Sequence, residues 1–181
     1  MRDARRRILD TATLLFYAEG VRTVGIDRII AEAGVAKATF YHHFKSKDAL
    51  VCAYLAEQYE LQRAFLPRLP GTGRAKLEEV FRRIVETSEG PGFRGCPFLN
   101  TAAEFADPAH PVRAVVADYR AWFTGFMREL LTEAGHPAPG TAARQLLLLR
   151  DGVAVSGALD APEQVRAGTL ASLRLVLDAP A

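Results

Sequence analysis

Residues 26–44 read IDRIIAEAGVAKATFYHHF, and this stretch decides the fold. Ile26, Ile29, Ile30 and Ala33 repeat at helical spacing. Gly34 follows them, a residue that accepts the left-handed backbone on which helices often end. A second short helix is expected from Lys37 to Phe44. Two short helices joined through Ala33-Gly34-Val35-Ala36 have the proportions of a helix-turn-helix. Val35, Phe40 and Phe44 supply the apolar side that holds the pair together. The other side is chemically suited to DNA. Lys37-Ala38-Thr39 is small, polar and basic, so the helix start can approach a groove closely. A hydroxyl there reaches a base edge or a phosphate, and the helix N-terminus itself favours phosphate. Tyr41, His42 and His43 add donors, and Lys45 and Lys47 stand just beyond. A His-His pair on a helix reads as a solvated face, so no metal site is expected at 42 and 43.

The surrounding chain continues the helical period. Ile8, Ala12, Leu15 and Phe16 form the stripe of a first helix that ends at Gly20. Ser46 is a suitable N-cap for a fourth helix, with Asp48 in its first turn. That helix runs to about Leu66 and is expected to carry Leu50, Ala53, Tyr54, Leu61 and Phe65 inward. Pro67, Pro70, Gly71 and Gly73 make a strong break. Further helices are expected over 74–89, 97–105, 110–134, 141–159 and 162–177. No strand pattern, internal repeat or low-complexity tract interrupts them. The fold class is all-α, with about nine helices.

Composition narrows the function. The chain has 181 residues, 49% hydrophobic and 24% charged, which excludes a disordered, collagen-like or disulfide-scaffold protein. Net charge is only +2, but it is unevenly placed. Residues 1–50, Arg2 among them, hold nine Lys/Arg against six acids, whereas residues 51–181 hold 14 against 15. An anionic partner for one part of the molecule follows. Cys52 and Cys96 form no CxxC pair, which suits a reduced setting. The basic and then apolar start is interrupted by Asp3, Asp10 and Glu19, so it does not read as a signal peptide. No apolar run approaches the ~18 residues of a membrane span, and a cytoplasmic protein without membrane contact is expected. GxSxG, HExxH and Gly-rich phosphate-loop motifs are absent, so neither an enzyme nor a cofactor is expected. Glu104 and His110 read as solvated helix-terminal groups rather than metal ligands. A small all-α enzyme or a helical ligand carrier would instead cluster acids and histidines in the C-terminal half.

Two C-terminal features bear on assembly and ligands. Leu146 to Leu149 are consecutive and so point all round their helix. Such a helix forms part of a subunit interface, or it is a central helix wrapped by its own chain. Phe98, Phe105, Trp122, Phe123 and Phe126 are interleaved with Asn100, Glu104, Arg120 and Arg150. That mixture suits an apolar pocket with a few polar anchors, while any single aromatic also fits plain core.

The block GVRTVGIDRIIAEAGVAKATFYHHFKSKDAL, residues 20–50, resembles the N-terminal domain of TetR/AcrR-type transcriptional regulators. The resemblance is carried by Gly20, Ile29, Ala33-Gly34-Val35, Lys37, Thr39, Tyr41, His42, Phe44, Lys47 and Leu50. Gly25 and Ala36 stand where that pattern often has Thr or Ser. Gly95-Cys96-Pro97-Phe98-Leu99-Asn100 with Glu104 is similar to a pattern in the C-terminal domain of one branch. The resemblance implies a DNA-binding domain over residues 1–46 and a ligand-binding and dimerisation domain over 47–181. It implies a homodimer that binds double-stranded operator DNA as a repressor and is released by a small molecule, here an apolar or aromatic one. Thr39, Tyr41, His42 and Lys47 are the expected DNA contacts. Lys37, Thr23, Lys45 and the Arg5–Arg7 cluster are expected to add phosphate contacts. The ligand is expected at Phe98, Phe105, Trp122, Phe123 and Phe126, and the dimer interface at 141–159 and 162–177, where a charge at Val153 or Leu173 should split the dimer or unfold it. The helices at 47–66 and 110–134 would carry the switch.

Overall fold

The computed structural model describes residues 3–180, so Arg2 lies outside the described residues. Among these the chain is all-helical: α1 Ala4–Glu19, α2 Ile26–Ala33, α3 Lys37–His43, α4 Lys47–Phe65, α5 Gly73–Ser88, α6 Pro97–Glu104, α7 Pro111–Glu133, α8 Pro139–Leu159 and α9 Pro162–Leu177. The Pro/Gly break after α4 opens with one 3₁₀ turn, Leu66–Arg68. All nine helices and their order agree with the periodicity.

The chain divides into two compact units, residues 1–61 with 97–117, and residues 62–96 with 118–181. In the first unit Ile8, Leu9, Ala12, Leu15 and Phe16 of α1 are buried, as are Ile29, Phe40, Leu50 and Tyr54. Gly34 has φ +61, and the Val35 and Gly34 amides donate to the Ile30 and Ala31 carbonyls at 3.2 Å. This pair of bonds closes the α2 C-terminus in the doubly bonded left-handed form that glycine permits. Ser46 caps α4, its Oγ accepting from the Ala49 amide at 3.1 Å. The expected inward course of Leu61 and Phe65 is wrong, since both are exposed. The α4 stripe has the right period, but its core partners stop at Leu55. Leu66, in the following turn, is the next buried residue.

In the second unit Leu66, Leu77, Val80, Phe81, Phe123, Met127, Leu131, Leu146 and Leu173 form one core. Arg150 is buried beside it, its Nη2 donating to the Tyr119 hydroxyl at 2.9 Å and to Cys96 Sγ at 2.8 Å. Its Nη1 donates to Asp151 at 2.8 Å, so the charge is paired, as a buried charge must be. Burial pushes the Tyr119 phenol above its ordinary pKa. α8 is not wrapped by its own chain. Leu146 is fully buried, but Leu148, Val155 and Leu159 are 68%, 54% and 77% exposed along one face. Val153 and Leu173, in the helices expected at an interface, are core residues of the single chain. Four consecutive leucines point to every side, so the run alone does not say which side a chain leaves open.

Candidate nucleic-acid interface

The interface is built on the α2–α3 corner. Phe40 is fully buried, with its ring 6.2 Å from Phe44 and 5.3 Å from Tyr41. This anchor fixes the roll of α3 and turns the rest of the helix outward. Lys37, Ala38, Tyr41 and His42 are exposed, and Thr39 is half-buried. Ala36, the α3 N-cap, makes no side-chain bond to the helix, and Gly25 makes none at α2. The first amides of α3 therefore lack a side-chain cap.

The expected cations have different partners. Lys37 lies 3.5 Å from Asp27 in a fully solvated pair, which contributes little and is readily exchanged for a phosphate. Lys45 and Thr23 are exposed. Lys47 is half-buried, its Nζ donating to the Arg22 carbonyl at 3.4 Å. Burial lowers its pKa, while Glu104 and Asp48 pull it back up. Arg5 lies over the Phe44 ring at 5.3 Å. Arg6 is held by the carboxylates of Asp10 and Glu57, and the Arg7 Nε is buried without a hydrogen-bond partner. Of the arginine cluster, Arg6 is the member tied to carboxylates, and Arg5 faces an aromatic ring.

Two acidic or titratable groups read as solvated helix ends are structural partners instead. Glu104 accepts from the Val21 amide at 2.9 Å and the Arg22 amide at 2.6 Å. His110 Nε2 is 3.3 Å from Asp48 Oδ2, and its ring lies 4.5 Å from that of Phe105. The Glu104 bonds and the His110–Asp48 contact span long sequence separations, for which the local pattern carries no signal.

The segment that builds this surface matches a known family. The pattern described as "Bacterial regulatory proteins, tetR family" matches residues 8–54, and that described as "Tetracyclin repressor-like, C-terminal domain" matches residues 73–161. A crystal structure of SCO4454, a TetR-family transcriptional regulator from Streptomyces coelicolor, superposes with a TM-score of 0.91 at 45% identity, covering 96% of this chain and 94% of that one. The chain belongs to the TetR family of DNA-binding transcriptional regulators. Among curated relatives, the HTH-type transcriptional repressor DhaR of Mycobacterium sp. is 28% identical over 129 residues, 68% of this chain and 64% of DhaR. The transposon Tn10 TetC protein of Escherichia coli is 32% identical over 81 residues, 44% of this chain and 41% of TetC. These two alignments therefore span less than two thirds of either relative.

The five aromatics expected at a ligand site fall in both units of this TetR-family chain. Phe98 and Phe105 are in the first, where Phe98 is fully buried. Trp122, Phe123 and Phe126 are in the second, where Phe123 is core. Trp122 and Phe126 are half-buried and stack in parallel with ring centroids 5.9 Å apart. A groove of about 450 Å³ in the second unit is lined by Arg120, Thr124, Arg128, Arg144 and Leu147, among others, and by none of the five aromatics. Among the described residues no three His, Cys, Asp or Glu side chains cluster as a metal site requires. Among the described residues no helix is long and apolar enough to cross a membrane.

Proposed function

We propose that this TetR-family regulator is a homodimeric repressor that binds a near-palindromic operator and is released by an apolar or aromatic small molecule. The observation that carries the reading is the outward face of α3, where Lys37, Thr39, Tyr41 and His42 surround the buried anchor Phe40. Thr39, Tyr41 and His42 are assigned to base edges and neighbouring phosphates. Lys37, Lys45, Lys47 and Thr23 are assigned to phosphates, which supply affinity and position without reading sequence. In this reading residues 1–46 are the DNA-binding domain and residues 47–181 the ligand-binding and dimerisation domain. Repression is supported by the likeness to DhaR, a transcriptional repressor. The work is done in the cytoplasm, where operator DNA lies.

Dimerisation is assigned to α8 and α9. Leu148, Gly152, Val155 and Leu159 follow one another at i, i+4, i+7 and i+11, three of them large and exposed, and Leu175 of α9 is 77% exposed. An isologous contact between these faces gives a two-fold dimer. The effector is assigned to the stacked pair Trp122 and Phe126. A ligand changes operator affinity only by binding the two states of the dimer differently. Binding of a duplex selected from a random pool, followed by anisotropy, tests the DNA reading. The single Trp122 reports effectors by fluorescence quenching, and a quencher that leaves duplex affinity unchanged would refute its role in the switch.

A further inference from the structure

We infer that Glu104 is a positioning residue for DNA binding, whose carboxylate holds the α1–α2 loop and, through Arg22, Lys47 in the arrangement that meets phosphate. The inference rests on the assignment of Lys47 and Thr23 to phosphates. Glu104 is the last residue of α6, where the helix dipole disfavours a carboxylate. It has compensation there. One oxygen accepts from the Val21 amide at 2.9 Å and the other from the Arg22 amide at 2.6 Å. Arg22 Nε returns a bond to the Glu104 carbonyl at 2.8 Å, which satisfies one of the free carbonyls at the end of α6. Two amides of an irregular loop and one helix-end carbonyl are thus closed reciprocally.

Gly20 makes the approach possible. Its φ is +87, and a Cβ there would sit 3.2 Å from the Glu104 carboxylate. The loop so fixed carries Thr23, exposed, and presents the Arg22 carbonyl to Lys47 Nζ at 3.4 Å. A second contact from the same corner falls beside it, where His110 meets Asp48, the residue after Lys47. The α6–α7 corner therefore contacts both the loop that meets Lys47 and the residue that follows Lys47. Glu104 touches no DNA in this arrangement. It sets where the loop and the ammonium stand.

The test uses the full chain and two duplexes of equal length, one selected from a random pool by the native protein and one unrelated. Glu104→Ala should weaken the selected duplex about tenfold, the equivalent of about one charge-assisted hydrogen bond. Glu104→Gln, which keeps one acceptor oxygen, should lose less. The Val21 and Arg22 amides should exchange faster in both variants while the α8 amides keep their protection. In a Lys47→Ala background Glu104→Ala should cost less than in the native one, because the two act on one contact. Native-like affinity in Glu104→Ala, within about twofold, despite faster loop exchange overturns the inference. So does a loss that is fully additive with Lys47→Ala or that tracks lost α8 protection. If Glu104→Ala does not fold, the same criteria applied to Glu104→Gln decide. A native chain that enriches no duplex refutes the DNA reading itself, a result distinct from any of these.

Discussion

Lys47→Ala separates the phosphate contribution from the rest. Lys47 opens α4, is half-buried, and holds its ammonium 3.4 Å from the Arg22 carbonyl. The substitution removes one cation per chain and two per dimer, and leaves Phe40 and the α3 face untouched. Each phosphate-bound cation adds about 0.9 to the slope of log affinity against log salt, so the slope should flatten by about 1.8. Between 50 and 200 mM salt the advantage of the native protein over the variant should then shrink about 12-fold. The loss should be nearly equal on the selected duplex and on unrelated DNA, because phosphates carry no sequence. Thr39→Ala should do the opposite, harming the selected duplex most. The pH dependence has a definite sign. Burial lowers the Lys47 pKa, so its contact, which needs the protonated form, is lost as pH rises, and earlier than for an ordinary lysine. Lys47→Arg, charged throughout, should remove that alkaline decline. Anisotropy titrations at four salt concentrations and along a pH series measure all of this. An unchanged slope and unchanged affinity in Lys47→Ala would refute the assignment.

Two further variants test the second unit. Leu148→Glu with Val155→Glu places charges on the exposed α8 face, met twice across a two-fold axis, and should raise the dimer dissociation constant at least about 100-fold while the monomer stays folded. Sedimentation showing an intact dimer would reject α8 as the interface. Gly157→Ala puts a Cβ 2.6 Å from the Ser88 Cβ and 3.0 Å from the Phe93 ring, an overpacking of about 2 kcal/mol. For a chain this long the thermal midpoint should fall by about 4–8 °C. Ser88→Gly in the same background should restore part of it, and a midpoint unchanged by Gly157→Ala would deny the close α5–α8 approach.

Local signals were legible, and long-range ones were not. The helices could be read because their period, their Pro and Gly punctuation and caps such as Ser46 and Gly34 act within a few residues. The α3 face could be read because its anchors, Phe40 and Phe44, are separated by one helical turn. Leu61 and Phe65 misled because a stripe reports which side of a helix is apolar, not where its covering partner ends. Val153 and Leu173 left two outcomes open, a split dimer or an unfolded chain, because a chain-internal contact and a subunit contact draw on the same residue types. The partners of Glu104 lie more than 80 positions away in sequence. Arg6 reads as available charge, but Glu57, 51 positions later in α4, claims it.

In the proposed dimer two copies of α3, held by the α8–α9 faces, read one operator. Sequencing the duplexes that the native chain enriches from a random pool tests it most directly. The expected result is an enriched near-palindrome whose half-site centres lie about 10–10.5 base pairs apart or a multiple of that, one turn of about 34–36 Å or more between recognition helices. Enrichment of nothing, or of a single unrepeated half-site, would contradict it.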